Sequence, residues 1–174
     1  MDERTFWQMI EDTRRESGGD LEGQVSLLEE KLLALPAQEI IAFDRLCEEM
    51  RFRAYRWDLW GAAYIINSGC SDDGFDYFRG WLIAQGQTVY ENALRDPDTL
   101  AGVLTGEEEE VECEEMLYVA ARACEEKTSE EMPMATRAYP EIAGEPWEED
   151  DLPALFPRLA RKFGWEEEGE DEEE

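Results

Sequence analysis

Residues 55–85 read YRWDLWGAAYIINSGCSDDGFDYFRGWLIAQ, and this stretch decides the fold of the chain. Its first part spaces aromatic and apolar residues as a largely buried helix does. Gly69 suits the left-handed residue that ends a helix, and Ser71 or Asp72 can cap the next one. We predict a helical hairpin at the centre of the core. In the first helix Trp57, Trp60, Ala63, Tyr64 and Asn67 follow helical spacing, and Ile65 and Ile66 widen the apolar face; in the second, the inward-facing residues are Phe75, Phe78, Leu82 and Trp81.

Helical spacing also dominates on both sides of this hairpin, and no segment alternates with the period of a strand. The acidic run Glu107–Glu110 is expected to open one of these helices, where carboxylates suit the positive end of the dipole. We therefore predict an all-α fold, a single-domain irregular helical bundle of about six to eight helices over residues 1–165. We expect residues 166–174 to be an acidic tail, because they contain almost no apolar side chains that could pack.

Prolines interrupt the sequence between Thr128 and Trp147 and exclude a long helix there. The interpretation is a connecting loop held against the domain by Met134, Tyr139 and Ile142.

Length and hydropathy limit the class of protein. A chain of 174 residues with 43% hydrophobic content suits one domain with a real core. It contains no apolar run approaching the roughly 20 residues of a membrane span, and its N-terminus lacks the pattern of a signal peptide. We expect a soluble, cytoplasmic protein that does not bind membranes.

The formal net charge is −29, and it is distributed unevenly. Residues 1–106 carry −10, and residues 107–174 carry −19. Such a field repels nucleic-acid phosphates and anionic membranes and favours basic protein surfaces. We therefore expect no direct nucleic-acid binding, and a protein partner with a basic surface.

The chain contains no histidine, which removes Ser-His and Cys-His catalysis and the usual proton shuttle near neutral pH. Its four cysteines are widely separated and include no C-x-x-C pair. We expect reduced, packed thiols, and no metal or cofactor. The alternative is a zinc site that gathers cysteines from distant helices, with or without carboxylates.

The acidic turn offers one candidate for chemistry. Asp72 and Asp76 lie four residues apart, so on a helix they share a face, as a divalent ion or acid–base pair requires. The pattern lacks the alternating ligands of a calcium loop, and Asp is favoured at a helix start. We favour helix capping and an ion pair with Arg79 over a metal site or catalysis.

A basic cluster, Arg51, Arg53 and Arg56, precedes the hairpin. The favoured interpretation is pairing with neighbouring acids such as Asp58, or stacking on tryptophan rings. The alternative is a site for an anion, or for a carboxylate of a partner, beside the acidic turn.

Several motifs in the chain resemble the DUF4240 family, a bacterial domain of unknown function. The resemblance covers most of residues 1 to about 140 and implies a domain assignment without an activity. Its motifs are Phe6-Trp7-Gln8-Met9-Ile10, Trp57-Asp58-Leu59-Trp60 with Ala62-Ala63, Gly69-Cys70-Ser71-Asp72-Asp73-Gly74-Phe75, Tyr77-Phe78-Arg79-Gly80-Trp81-Leu82-Ile83, Asn92-Ala93-Leu94-Arg95-Asp96-Pro97-Asp98 and Tyr139-Pro140-Glu141.

Three classes of function remain. The leading one is a non-enzymatic interaction or regulatory module that uses the aromatic and acidic surface around residues 55–81. The second is an acidic decoy that occupies a basic nucleic-acid-binding protein through the C-terminal third, and the third is an enzyme using carboxylates of the acidic turn. No catalytic residue is assigned. The expected binding residues are Arg53, Arg56, Trp57, Asp58, Trp60, Ser71, Asp72, Asp73, Asp76, Tyr77 and Arg79.

Overall fold

Helices dominate the structure, a computed structural model that describes residues 1–165. Within that range the strand-like pairing is limited to an isolated bridge between Arg56 and Ala143. The predicted all-α class is confirmed. The predicted acidic tail, residues 166–174, lies outside the described residues.

Over residues 1–165, nine α-helices and two short 3₁₀ helices follow one another, and seven of the α-helices have nine residues or more. The seven long helices match the predicted six to eight, and the short α8 and α9 lie at Pro153 and Pro157, where the sequence predicts a last helical region that prolines interrupt. The elements are α1 (Glu3–Glu16), α2 (Leu21–Leu33), α3 (Ala37–Arg53), α4 (Trp57–Ile66), α5 (Asp72–Ala84), α6 (Gln87–Arg95), a 3₁₀ helix (Pro97–Gly102), α7 (Glu115–Thr128), a second 3₁₀ helix (Glu149–Asp151), α8 (Leu152–Leu155) and α9 (Pro157–Lys162).

Side-chain caps start three of the long helices. Asp2, Asp20 and Ser71 each accept a hydrogen bond from the backbone N–H three residues later, at 2.8, 2.8 and 3.1 Å. Between α4 and α5 the chain turns through two residues with positive φ, Ser68 at 54° and Gly69 at 113°. The hairpin turn therefore combines a left-handed exit with a capped entry, as its sequence predicted.

The central element of the bundle is α5, which packs against α1, α3, α4, α6 and α7. Its predicted inward residues Phe75, Phe78 and Leu82 are fully buried. Gly80 lets the chain ahead of α7 cross this helix, because a Cβ there would lie 2.4 Å from the carbonyl oxygen of Cys113. The Cys113 N–H donates to the Tyr77 carbonyl at 2.9 Å at the same crossing.

The inward face of α4 agrees with the prediction at Ala63, Ile65 and Ile66 and differs from it at the aromatic residues. Trp57, Trp60 and Tyr64 are only partly buried. Helical spacing alone cannot choose a face on a helix that is apolar nearly all round, because the neighbouring elements decide which side is covered. The buried residues of α4 are Leu59, Gly61, Ala62, Ala63, Ile65 and Ile66.

The acidic run Glu107–Glu110 does not open a helix, since α7 begins only at Glu115. The run belongs to a loop in which the Glu108 carboxylate accepts the backbone N–H groups of Thr105 and Gly106 at 2.7 and 2.9 Å. A side chain that satisfies its own turn competes with helix formation, which explains the error.

After α7 an exposed loop leads to residues 139–165, hereafter the C-terminal segment, which packs against α4 and the first 3₁₀ helix. As predicted, Tyr139 packs against Phe52 and Ile142 is partly buried, so both hold this part of the chain against the domain. Met134 does not, because 91% of its surface is exposed.

Candidate functional site

Trp57, Trp60 and Phe75 form an ordered stack, and together with Tyr64 of α4 they are hereafter called the aromatic face. The Trp57 and Trp60 rings lie 5.5 Å apart and nearly parallel, and Trp60 stacks on Phe75 at 5.1 Å. The Trp60 indole N–H donates to the Cys70 carbonyl at 2.9 Å. Stacking and hydrogen bonding together fix these rings, so the face is rigid.

The C-terminal segment covers much of the aromatic face. Trp147 packs edge-on against Trp57, with ring centres 6.2 Å apart, and its indole N–H donates to the Trp57 carbonyl at 2.6 Å. Trp165 packs edge-on against Tyr64 at 5.9 Å, and the Tyr64 hydroxyl donates to Glu149 at 3.1 Å. The surface that the sequence assigned to a partner is therefore occupied in part by the chain itself.

Gly61 is the point of closest approach between α4 and the C-terminal segment. A Cβ at this position would lie 2.9 Å from side-chain atoms of Leu152 and Phe156, and 3.0 Å from the Trp147 indole nitrogen. The absence of a side chain therefore allows three apolar residues of the segment to reach the helix backbone.

Arg79, predicted as a surface partner of the acidic turn, is instead a buried centre of hydrogen bonding with 1% of its surface exposed. Its guanidinium lies 4.7 Å from the ring centres of both Tyr55 and Phe75. The acceptors of its N–H groups are the Phe75 carbonyl at 3.3 Å, the Arg51 carbonyl at 3.0 Å, the Asp76 carboxylate at 3.0 Å and the Tyr139 hydroxyl at 2.7 Å.

Asp76 belongs to this buried cluster, and the two other acids of the turn do not. It pairs with Arg79 at 3.0 Å and with Arg51 at 3.5 Å. Asp72 and Asp73 are exposed in the first turn of α5, where the positive end of the helix dipole stabilises carboxylates. The favoured interpretation of the turn, a capped helix with an ion pair to Arg79, agrees with this geometry, although Ser71 is the residue that caps.

Over residues 1–165 no three histidine, cysteine or carboxylate side chains come close enough together to hold a metal ion. Cys47, Cys70, Cys113 and Cys124 are free thiols. Burial raises the pKa of the Cys47 and Cys70 thiols to about 12, which makes them poor nucleophiles at neutral pH.

The predicted basic residues engage acids. Arg56 binds Asp58 through two hydrogen bonds, at 3.1 and 2.6 Å. Arg53 pairs with Glu49 and with Glu3, away from the acidic turn. Ion pairing, the favoured interpretation, is what the structure shows.

Tyr77 lies on the outer side of α5. Its pKa is raised by partial desolvation and by the nearby carboxylates of Glu114 and Asp73. Among the predicted site residues, Arg79 is buried and Arg53 is paired with Glu3 and Glu49, whereas Trp57 and Trp60 stack beside the Arg56–Asp58 ion pair.

The edge of the C-terminal segment borders an open cleft of about 480 Å³, hereafter the seam cleft. Its apolar lining includes Leu155, which is 53% exposed although it is a leucine. The full lining consists of Asp58, Arg95, Asp96, Pro97, Glu145, Pro146, Trp147, Asp151, Ala154, Leu155 and Phe156.

The lining of the seam cleft is partly apolar and partly acidic. Its apolar residues Pro97, Pro146, Trp147, Ala154, Leu155 and Phe156 are hereafter called the floor, and its carboxylates the rim. Four of its lining residues are carboxylates and one is an arginine. Such a site favours a ligand that is cationic and also carries an apolar group, because the rim attracts the charge and the floor buries the group. Among the predicted residues Asp58 alone lines it.

Residues 1–126 match the family described as "Protein of unknown function (DUF4240)". The chain belongs to the DUF4240 family. No curated protein and no solved structure matches it. The family description assigns no activity, so function has to be argued from the geometry.

The DUF4240 match ends just before α7 does, at Thr128. The aromatic face therefore lies inside the DUF4240 domain, whereas the C-terminal segment that covers it lies outside the match. Over the described residues the helices are too short or too polar for any of them to cross a bilayer.

Sequence reasoning missed the C-terminal side of the cleft and the burial of Arg79. The signal for Arg79 was its position inside the run Phe78-Arg79-Gly80-Trp81-Leu82, where its neighbours are buried. No local pattern could have paired Trp147 with Trp57, because 90 residues separate them.

Proposed function

We propose that this protein is a non-enzymatic interaction module that binds a basic protein partner at the seam cleft. The observation that carries the proposal is a cleft whose lining combines exposed Leu155 with four carboxylates, of which Asp58 is already paired with Arg56. The partner chemistry that fits is a lysine- or arginine-rich segment with a large apolar side chain as its anchor.

The charge of the whole chain supports the same partner. A net charge of −29 attracts basic surfaces over the range of a Debye length and accelerates their encounter. Charge alone selects poorly among basic proteins, however, so the apolar floor is the feature that would provide specificity.

An enzymatic function that uses the carboxylates of the acidic turn has less support. Asp76 is engaged by two arginines, and Asp72 and Asp73 are exposed at the start of α5. The three acids of the turn are therefore divided between an ion-pair cluster and an exposed helix start, instead of converging on one pocket as paired catalytic carboxylates do.

We further propose that the protein acts in the cytoplasm, as a reduced protein. Its four cysteines are free, and three of them are buried in the helical core. Unpaired buried thiols are typical of a reducing compartment.

The test is a titration with two fluorescent helical peptides of equal lysine content, one with leucine and phenylalanine anchors and one with serines in their place. We expect the anchored peptide to bind more tightly, and Leu155→Glu to weaken its binding by about tenfold or more. The matched control is Val103→Glu, which adds the same charge at another exposed apolar residue and should leave the affinity unchanged.

Two outcomes would contradict the proposal. Equal binding of both peptides, lost in a chain that ends at Trp165 and at high salt, would establish the acidic decoy instead. Binding that Leu155→Glu and Val103→Glu reduce equally would place the partner outside the seam cleft.

A further inference from the structure

Asp98 holds the C-terminal segment against the DUF4240 domain. Its carboxylate is almost fully buried in the first 3₁₀ helix and accepts the backbone N–H groups of Arg158 and Leu159, at 3.1 and 2.9 Å. These two groups open α9, which has no capping side chain of its own. The domain thus supplies from a distance the cap that a helix usually finds locally.

Further contacts fasten the segment along its length. The Ala143 backbone exchanges hydrogen bonds with Tyr55 and Trp57, at 3.1 and 2.9 Å. Near the end of the segment, the Lys162 ammonium group donates to the Leu104 carbonyl at 2.8 Å. Each of these contacts joins the segment to the rest of the chain.

The segment has little structure that could persist without these contacts. Its α-helices, α8 and α9, have four and six residues, whereas an isolated helix needs more than about 12 to be stable in water. The exposed loop 129–138 is its covalent link to α7. The segment should therefore order only when it docks.

The seam cleft is built from both sides of this interface. The DUF4240 domain contributes Asp58, Arg95, Asp96 and Pro97, and the segment contributes Trp147, Leu155 and Phe156 among others. A partner site that needs both sides exists only while the segment is docked.

We propose that the C-terminal segment is a separable docking unit, and that its docking completes the seam cleft. The coupling to a partner rests on the proposed function. A partner that binds only the completed cleft stabilises docking. By linkage, any change that loosens docking lowers the affinity for that partner. Asp98 is then a positioning residue, because it holds the segment without lining the cleft.

The first test uses the full chain and its tryptophans. Three of the six, Trp57, Trp147 and Trp165, take part in contacts across the interface, and Trp60 stacks on Trp57, whereas Trp7 and Trp81 are buried in the core. In a urea titration we expect the tryptophan emission to shift at a lower concentration than the far-ultraviolet dichroism falls. A single transition shared by both signals would overturn the proposal.

The second test measures hydrogen exchange in Asp98→Ala. We expect the protected amides of residues 143–163 to exchange about tenfold faster, with α2 and α7 unchanged. The matched control is Asp20→Ala, which removes an equivalent cap from α2 and should accelerate α2 instead. If Asp98→Ala accelerates amide exchange equally in all helices, the segment is an integral part of the fold and the proposal fails.

The third test separates this proposal from the proposed function. Asp98→Ala should lower the affinity for the anchored basic peptide. Conversely, the peptide should slow amide hydrogen exchange in residues 143–163 of the unchanged protein. Peptide binding that Asp98→Ala leaves intact would overturn the coupling and keep the interaction module. Absence of binding in the unchanged protein, with early opening of the segment, would overturn the proposed function and keep the separable segment.

Discussion

Arg79 shows how one residue can connect distant parts of this chain. Its guanidinium joins α5 to the end of α3 through the Arg51 carbonyl and to the C-terminal segment through the Tyr139 hydroxyl. Burying a charge is costly unless every N–H group finds an acceptor, and the aromatic rings on both sides add cation–π attraction.

Replacing Arg79 should therefore be costly. We expect Arg79→Met to lower the free energy of unfolding by about 3 kcal/mol, because it leaves Asp76 and the Arg51 carbonyl without their main partner in a buried site. Urea denaturation followed by circular dichroism measures the change.

The control is Arg15→Ala, which removes an arginine that is 72% exposed and pairs with Asp12 on the surface. Its cost should stay within about 0.5 kcal/mol. Similar losses in the two variants would show that the Arg79 network contributes no more than a surface ion pair.

At the scale of elements, the contact between α4 and the C-terminal segment depends on the small size of Gly61. Glycine within a helix usually weakens it, and alanine at an unhindered helical position would be favourable by about 0.5–1 kcal/mol. Here three side chains of the segment occupy the space that a methyl group would need.

We therefore expect Gly61→Ala to loosen the C-terminal segment while leaving the other helices folded. The clash should cost about 1–3 kcal/mol and increase the quenching of tryptophan emission by acrylamide. Gly102→Ala is the control, since its added Cβ meets its nearest neighbour, a nitrogen of Arg158, at an ordinary 3.5 Å. Unchanged quenching in Gly61→Ala would mean that the segment shifts as a body to make room.

For the whole molecule, the dominant physical feature is its acidity. With 45 acidic and 16 basic residues, the folded chain concentrates mutually repelling carboxylates that the unfolded chain spreads apart. The charges are mostly solvent-exposed, so salt within the physiological range should screen much of this repulsion.

We expect the unfolding temperature to rise by about 3 °C between low and physiological NaCl, which corresponds to roughly 1 kcal/mol for a chain of this size. KCl should act equally, since screening does not depend on the identity of the cation. A rise seen only with MgCl₂, at matched ionic strength, would instead indicate a specific divalent-cation site.

The sequence predicted the parts of this protein that depend on neighbouring residues. The all-α class and the left-handed turn at Gly69 follow from helical periodicity and capping, which act within a few residues. The Asp76–Arg79 ion pair was predictable for the same reason, since the two residues are three apart on one helix.

Local pattern predicted less of the candidate site. Asp58 was singled out, but its place on the rim of a cleft was not, and the apolar floor from Trp147 to Phe156 was read only as loop and helix. The sequence shows which residues are apolar or acidic, and their spacing shows which helix face they share. Neither shows which distant surface those residues will border.

By itself, therefore, the sequence determined that the chain is helical, strongly acidic and similar to the DUF4240 family over most of its length. The tertiary structure alone decided which face of α4 is covered, that Arg79 is buried, and that Asp98 caps a helix 60 residues later. The physical reason is that packing and capping between remote segments depend on their arrangement in space, which short-range periodicity does not encode.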